Sequence, residues 1–252
     1  MDHMKYFPEP SDVFFGDVEM HRKYLMPLLS IEPGVAGLDI DTPLHFVCPF
    51  EPCDGVIGDH TEPTHSYYCR NNWIAFDVID GKYRFKGPED YFLLTYLEKN
   101  PETLKGKFPN YPPYETQLPI DLKNCYEKRE ETYQQLKAAS LSETKVDDGW
   151  SYGELVQLGG LPADGNWANF DDSPIQRKTI KLSEEEFESM MGGPAQEKWE
   201  LEFAAAYPLT FDGRPFQFIG SMSGYIMRLL ACEMFMFYDT ENKVVLCTFD
   251  WS

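Results

Sequence analysis

Cys232-Glu233-Met234-Phe235-Met236-Phe237-Tyr238, then Asp239-Thr240-Glu241-Asn242, then Val244-Val245-Leu246-Cys247-Thr248-Phe249-Asp250-Trp251: these residues decide the fold. Met234 to Phe237 form an almost continuous apolar run, the pattern of a strand buried on both faces. Asp239–Asn242 has turn chemistry, and Val244–Trp251 returns as a second strand, so this stretch is read as a hairpin.

Further upstream, Phe216–Ser221 reads as another strand. Trp199, Leu201 and Phe203 alternate with Glu200 and Glu202, which predicts a half-buried strand. Ser183-Glu184-Glu185-Glu186 is a capping box and predicts a helix start. Leu155–Leu158 is strand-like, and Gly159-Gly160 after it supplies a sharp turn. In the first half, Trp73–Val78 and Lys82–Phe85 read as a hairpin around Asp80-Gly81, a pair suited to positive φ. Thr42–Phe50 reads as a strand.

Helices are expected at Val18–Leu28, at Tyr91–Lys99 behind Pro88, Glu89 and Asp90, and at Asp121–Ala139. In the last of these Leu122, Tyr126, Tyr133 and Leu136 recur at near-helical spacing. Phe108–Pro119 carries Pro109, Pro112, Pro113 and Pro119 and is expected to be a loop. The mixture predicts an α+β protein, mainly antiparallel sheet with several helices.

The charge balance is the strongest functional signal. Among 252 residues Lys and Arg number 22 and Asp and Glu 42, for a formal net charge of -20. Such an imbalance is not needed for folding and costs some self-repulsion. It serves solubility, or it meets a basic partner through electrostatic complementarity. Direct binding to nucleic acid is disfavoured, since that affinity comes from Lys and Arg on phosphates. Hydrophobic residues at 42% and aromatics at 15% suffice for a packed core. No apolar run reaches the roughly 18 residues of a spanning helix. The opening stretch lacks a basic n-region and a continuous apolar segment, so a cytoplasmic location is expected.

Five zinc-type side chains fall close together: Cys48, Cys53, His60, His65 and Cys69. Zinc takes four thiolate or imidazole ligands, and a closed site here would staple the Glu51–Ser66 loop. The spacing lacks paired CxxC knuckles, and the alternative is ordinary loop and core residues. No nucleophile elbow is present. Cys125 lies on a helix, and Cys232 and Cys247 lie on strands, where small buried thiols are common. His21 and His45 have no motif around them. These features predict no catalytic residues and no enzyme.

Acidic residues gather at Glu184–Glu186 with Glu188, at Glu127, Glu130 and Glu131, and around the glycine turn. In the last group Asp147, Asp148, Asp164, Asp171 and Asp172 interleave with Trp150, Tyr152, Trp167 and Phe170. Trp and Tyr are favoured interface anchors, so a partner-binding surface is expected there; the bland reading is a solvated face over core aromatics.

Leu158-Gly159-Gly160-Leu161-Pro162 with Trp167, then Asp212-Gly213-Arg214-Pro215-Phe216-Gln217-Phe218-Ile219-Gly220, then Met234–Asp239 resemble the YwqG-like domain family. The resemblance covers roughly residues 150–252. One departure is Ser221, which stands where the family carries a glutamine. The polar stretch Ser140–Asp148 sets a boundary near residue 145, so the chain is read as an N-terminal α+β unit over 1–145 and a YwqG-like strand-rich unit over 146–252, or as one continuous domain. Some family members look like immunity proteins encoded beside antibacterial toxins. The resemblance therefore implies the option of an immunity protein. The negative charge then points to a cognate basic toxin, such as a secreted nuclease, whose active site or substrate groove the protein would cover. The alternative is a zinc-stapled binding protein.

Overall fold

The computed structural model describes residues 3–35, 37–107, 112–138, 155–170, 173–191, 193–224 and 228–251. In chain order the elements are β1 (Met4–Tyr6), α1 (Pro10–Val13), α2 (Val18–Tyr24), β2 (Leu25–Ile31), β3 (Leu44–Pro49), β4 (Trp73–Ile79), β5 (Lys82–Phe85), α3 (Leu93–Lys99) and α4 (Pro112–Ala138). They continue with β6 (Val156–Leu158), β7 (Ile175–Lys181), α5 (Glu184–Met191), β8 (Glu202–Pro208), β9 (Gln217–Ser223), β10 (Glu233–Asp239) and β11 (Val244–Asp250). All the named strand pairs are antiparallel, and the fold is α+β.

The expected hairpin is the centre of a six-stranded sheet in the order β5-β4-β11-β10-β9-β6. Glu233 faces Asp250 and Asp239 faces Val244 across β10 and β11. The Asp239 carboxylate closes the turn by accepting from the Glu241 and Asn242 amides at 3.1 and 3.3 Å. This is the reason an Asp stands there: its short side chain bonds its own backbone ahead. At the far edge β6 comes very close to β9. A Cβ on Gly220 would collide with the Gln157 carbonyl oxygen and with Leu158, so only glycine admits this contact.

A second sheet, β1-β2-β3, contributes two strands whose every residue is buried. A third, β7-β8, is a two-stranded ribbon. One buried cluster runs from Phe7 to Phe249 and joins the first two sheets with β8 and the α4 residue Tyr133. The division near residue 145 therefore does not part the fold, because β4 of the first half is hydrogen-bonded to β11 of the second.

Three expectations about elements need correction. The helix at Val18 ends at Tyr24, not Leu28, and the chain turns directly into β2. Pro27 has no amide to continue the helix and pushes Met26 toward extended backbone. Within β2, Pro27 sits at a register shift against β3, where a missing donor is tolerated. Second, the proline-rich stretch is not all loop, since α4 begins at Pro112 and holds Pro119 inside it. Pro112 and Pro113 occupy the first turn, whose amides have no intrahelical acceptor. Third, residues 198–201 form a 3-10 turn instead of a strand, and Trp199 is 71% exposed.

The α3 helix starts at Leu93, after a 3-10 turn over Glu89–Tyr91. Its cap comes from far away in sequence. The buried Glu51 carboxylate accepts from the Leu93 and Leu94 amides at 2.7 and 2.8 Å and from the Tyr126 hydroxyl at 3.0 Å. An acid at a helix N-terminus satisfies orphan donors and meets the positive end of the dipole.

Candidate functional site

The ribbon carries the most distinctive surface. At its end β7 passes through buried Leu182, whose amide donates to the Leu201 carbonyl at 2.8 Å. This bond brings the start of α5 beside the Lys198–Leu201 turn. Ser183 then caps α5 as its sequence predicts. The Glu186 amide donates to Ser183 Oγ at 3.2 Å, and Glu186 Oε2 accepts from the Ser183 amide at 2.7 Å and its hydroxyl at 2.8 Å. Those bonds hold the Glu186 carboxyl below its ordinary range, the backbone one first.

Between Lys181 and Glu202 stand seven glutamates, at 184, 185, 186, 188, 197, 200 and 202, against two lysines, Lys181 and Lys198. Six of the seven are exposed and Glu200 is half-buried. Among the described residues none of them is in an ion pair. Three of them are tolerated in the first turn of α5 by the helix dipole. Glu200 accepts from the Gln196 amide at 2.9 Å and shapes the turn that presents Trp199. Beside this lies an open groove of about 480 Å³ lined by Gly160, Leu161, Ile180, Lys181, Leu182, Glu185 and Glu186. Its lining joins the apolar Leu161, Ile180 and Leu182 to two carboxylates, Glu185 and Glu186, and one cation, Lys181. A lysine or arginine side chain can lay its apolar stem on the former and bring its charge to the carboxylates.

The expected surface around the glycine turn is placed differently. Trp167 is a core residue, fully buried, with its indole N–H donating to the Ala163 carbonyl at 2.9 Å and its ring 5.5 Å from both Phe235 and Phe237. It is not a surface anchor, because β10 supplies the aromatic floor on which it packs. Asp164 is answered within the protein by Arg177 at 3.0 Å. Asp147, Asp148, Trp150, Tyr152, Asp171 and Asp172 lie outside the described residues. Sequence reading missed Trp199 because its alternation with Glu200 and Leu201 imitates a strand. No local signal marks it off, because buried Trp167 stands among Asp164, Asp171 and Asp172 in an equally acidic stretch.

The expected zinc ligands do not converge. The one trio of potential ligands gathered within 4.8 Å among the described residues is Asp59, His60 and Glu62. Only one of the five expected ligands belongs to it, so the zinc staple is corrected. The reasons are local. Cys48 points into the core from β3, and burial pushes its thiol up to about 12. Cys69 is likewise buried and pushed up to about 12. His65 is folded onto its own loop, with Nε2 at 2.9 Å from the Gly58 carbonyl. Cys53 instead meets Cys125 of α4.

His21 and His45 are both structural. His45 is buried, with Nδ1 2.7 Å from Ser30 Oγ and Nε2 2.8 Å from the Gly81 carbonyl. The carbonyl can only accept, so Nε2 carries the proton and Nδ1 accepts from Ser30. Desolvation pushes the ring's pKa down to about 4, so it is neutral. His21 Nδ1 donates to the Asp17 carbonyl at 2.6 Å, and its Nε2 accepts from the Phe85 amide at 3.0 Å.

No helix among the described residues is long and apolar enough to cross a membrane. No protein-family model, no curated protein and no solved structure matches the chain.

Proposed function

We propose that the protein is a binding protein for a basic protein partner, and that the acidic end of the β7-β8 ribbon is its docking surface. The observation that carries this reading is the unanswered charge around Trp199. An exposed tryptophan in a glutamate-rich stretch has the makeup of an interface centre, where an aromatic anchor is accompanied by charges that steer and select. The groove beside it accepts one Lys or Arg side chain of the partner. A basic partner would also discharge part of the net charge of -20.

The finer reading is an immunity protein of an antibacterial toxin system, acting in the cytoplasm without catalysis. It draws on the resemblance of residues 150–252 to YwqG-like proteins. A nuclease groove built for phosphate attracts carboxylates for the same electrostatic reason. Glutamates would then stand in phosphate positions.

The test is capture from host lysate at low salt by the immobilised protein, with Trp199→Ala and the triple variant Glu184→Gln/Glu185→Gln/Glu186→Gln run alongside. A single basic protein held by the wild type, and reduced at least tenfold with either variant, supports the surface. The same protein held equally by all three removes the surface from the account. A captured partner that degrades nucleic acid, and loses that activity in the complex, supports the finer reading.

A further inference from the structure

The segment Phe50–Asp54 is the clasp that holds α4 to the body. The Phe50 carbonyl accepts from Arg129, Glu51 accepts from Tyr126, and Asp54 accepts from the Tyr114 hydroxyl at 3.1 Å. Between these contacts the Cys53 thiol is hydrogen-bonded to the Cys125 thiol of α4. Cys125 Sγ lies 3.9 Å from the Phe50 carbonyl oxygen, which fixes its direction toward the clasp. Cys53 also packs on the leucine cluster formed by Leu93, Leu97, Leu104, Leu118 and Leu122. Both thiols are part-exposed, whereas Cys48, Cys69, Cys232 and Cys247 are buried.

We infer that Cys53 and Cys125 are a peroxide-sensitive dithiol that closes to a disulfide and locks α4 onto the clasp. The two sulfurs are unequal in the way this reaction needs. The hydrogen bond from Cys53 pulls the Cys125 thiol down to about 7, and the charges of Arg129 and Lys128 act in the same direction against burial and Glu51. The same hydrogen bond, with burial, raises Cys53. Cys125 shares the Phe50 carbonyl with the Arg129 guanidinium, which places that cation beside its sulfur, so Cys125 is assigned as the thiolate nucleophile and Cys53 as the resolving thiol.

The Cys125 thiolate attacks one oxygen of hydrogen peroxide, the O–O bond breaks, and the departing hydroxide takes a proton to leave as water. Cys53 then attacks the sulfenic sulfur and gives up its proton. The S–O bond breaks, a second water leaves, and the disulfide forms. With hydrogen peroxide, two thiols and one peroxide give one disulfide and two waters. A dithiol reductant reverses the outcome by exchange.

The experiment uses the reduced full chain, exposed to a small excess of hydrogen peroxide and then alkylated and digested without reductant. The expected result is one linked pair of peptides, carrying Cys53 and Cys125, two mass units below the sum of the free thiol peptides. The other four cysteines should be alkylated only after unfolding. In Cys53→Ser, Cys125 should instead be trapped as a sulfenic acid by dimedone, and in Cys125→Ser no linked pair should form. The oxidised wild type should melt about 5 °C higher than the reduced form, because the link closes a long loop in the unfolded chain. Recovery of Cys53 and Cys125 both singly alkylated after peroxide, or of links to other cysteines, would overturn the inference.

Discussion

The six-stranded sheet and the two-stranded ribbon are built from the same antiparallel pairing, yet they treat their residues oppositely. In β11 six of seven residues are buried, whereas in β7 none is. The sheet has a second layer over it, formed by β2, β3 and the aromatics Phe14, Tyr24 and Phe92. The ribbon has α5 at its end, and that helix is polar in its first turn. The difference lies in what packing demands of each residue. Core positions are fixed by packing, so their chemistry says little about partners. The ribbon end carries fewer packing demands, and six of its seven glutamates face solvent.

The comparison breaks most sharply at a core aromatic. Phe237 is fully buried between β9 and β11 and touches the Trp167 and Phe218 rings at 5.5 and 5.2 Å. Phe237→Ala should cost about 4 kcal/mol, read as a lowered denaturation midpoint at unchanged slope. A cost below about 1 kcal/mol would mean that the two layers do not share one core.

The next effect is in pH. His45 has a folded pKa depressed to about 4 against an ordinary 6.5. A histidine that resists its proton in the folded state loses stability when the unfolded chain can take that proton. Its contribution is complete above about pH 6.5 and is lost as pH falls toward 4, for a total of about 3 kcal/mol. His45→Gln should flatten that part of the stability–pH curve. An unchanged curve would show that His45 is not the group responsible.

The smallest effects belong to the ribbon. Ser183→Ala removes the capping hydroxyl and should cost about 1 kcal/mol, seen as a small drop in melting temperature. Trp199→Ala should change stability by less than about 0.5 kcal/mol, because an exposed side chain loses little on truncation. A loss of 2 kcal/mol or more at Trp199 would make it a packing residue and sharpen the comparison against the proposed surface.

The terminal hairpin, the 73–85 hairpin and the capping box were legible in the sequence because their signals are local. A buried run such as Met234–Phe237, a turn pair such as Asp80-Gly81 and a Ser183–Glu186 spacing each specify a structure without distant help. Long-range choices were not legible. The end of α2 at Tyr24 had a local signal in Pro27, but that Leu25–Ile31 then pairs between β1 and β3 had none. Glu51 caps α3 across a large sequence gap, which no local pattern reveals. The five zinc-type residues sit near one another in sequence, but β3 and α4 pull Cys48 and Cys53 in different directions. Trp167 and Trp199 looked alike in their acidic settings, and burial alone separates them.

The most direct test is the association rate of the captured partner with wild type and with Glu184→Gln/Glu185→Gln/Glu186→Gln, measured from 50 to about 300 mM salt. Electrostatic steering falls steeply with ionic strength. The account predicts at least a tenfold loss of rate for the wild type over that range and a much flatter dependence for the variant. A wild-type rate that does not respond to salt, or a variant that follows the same steep line, would contradict it.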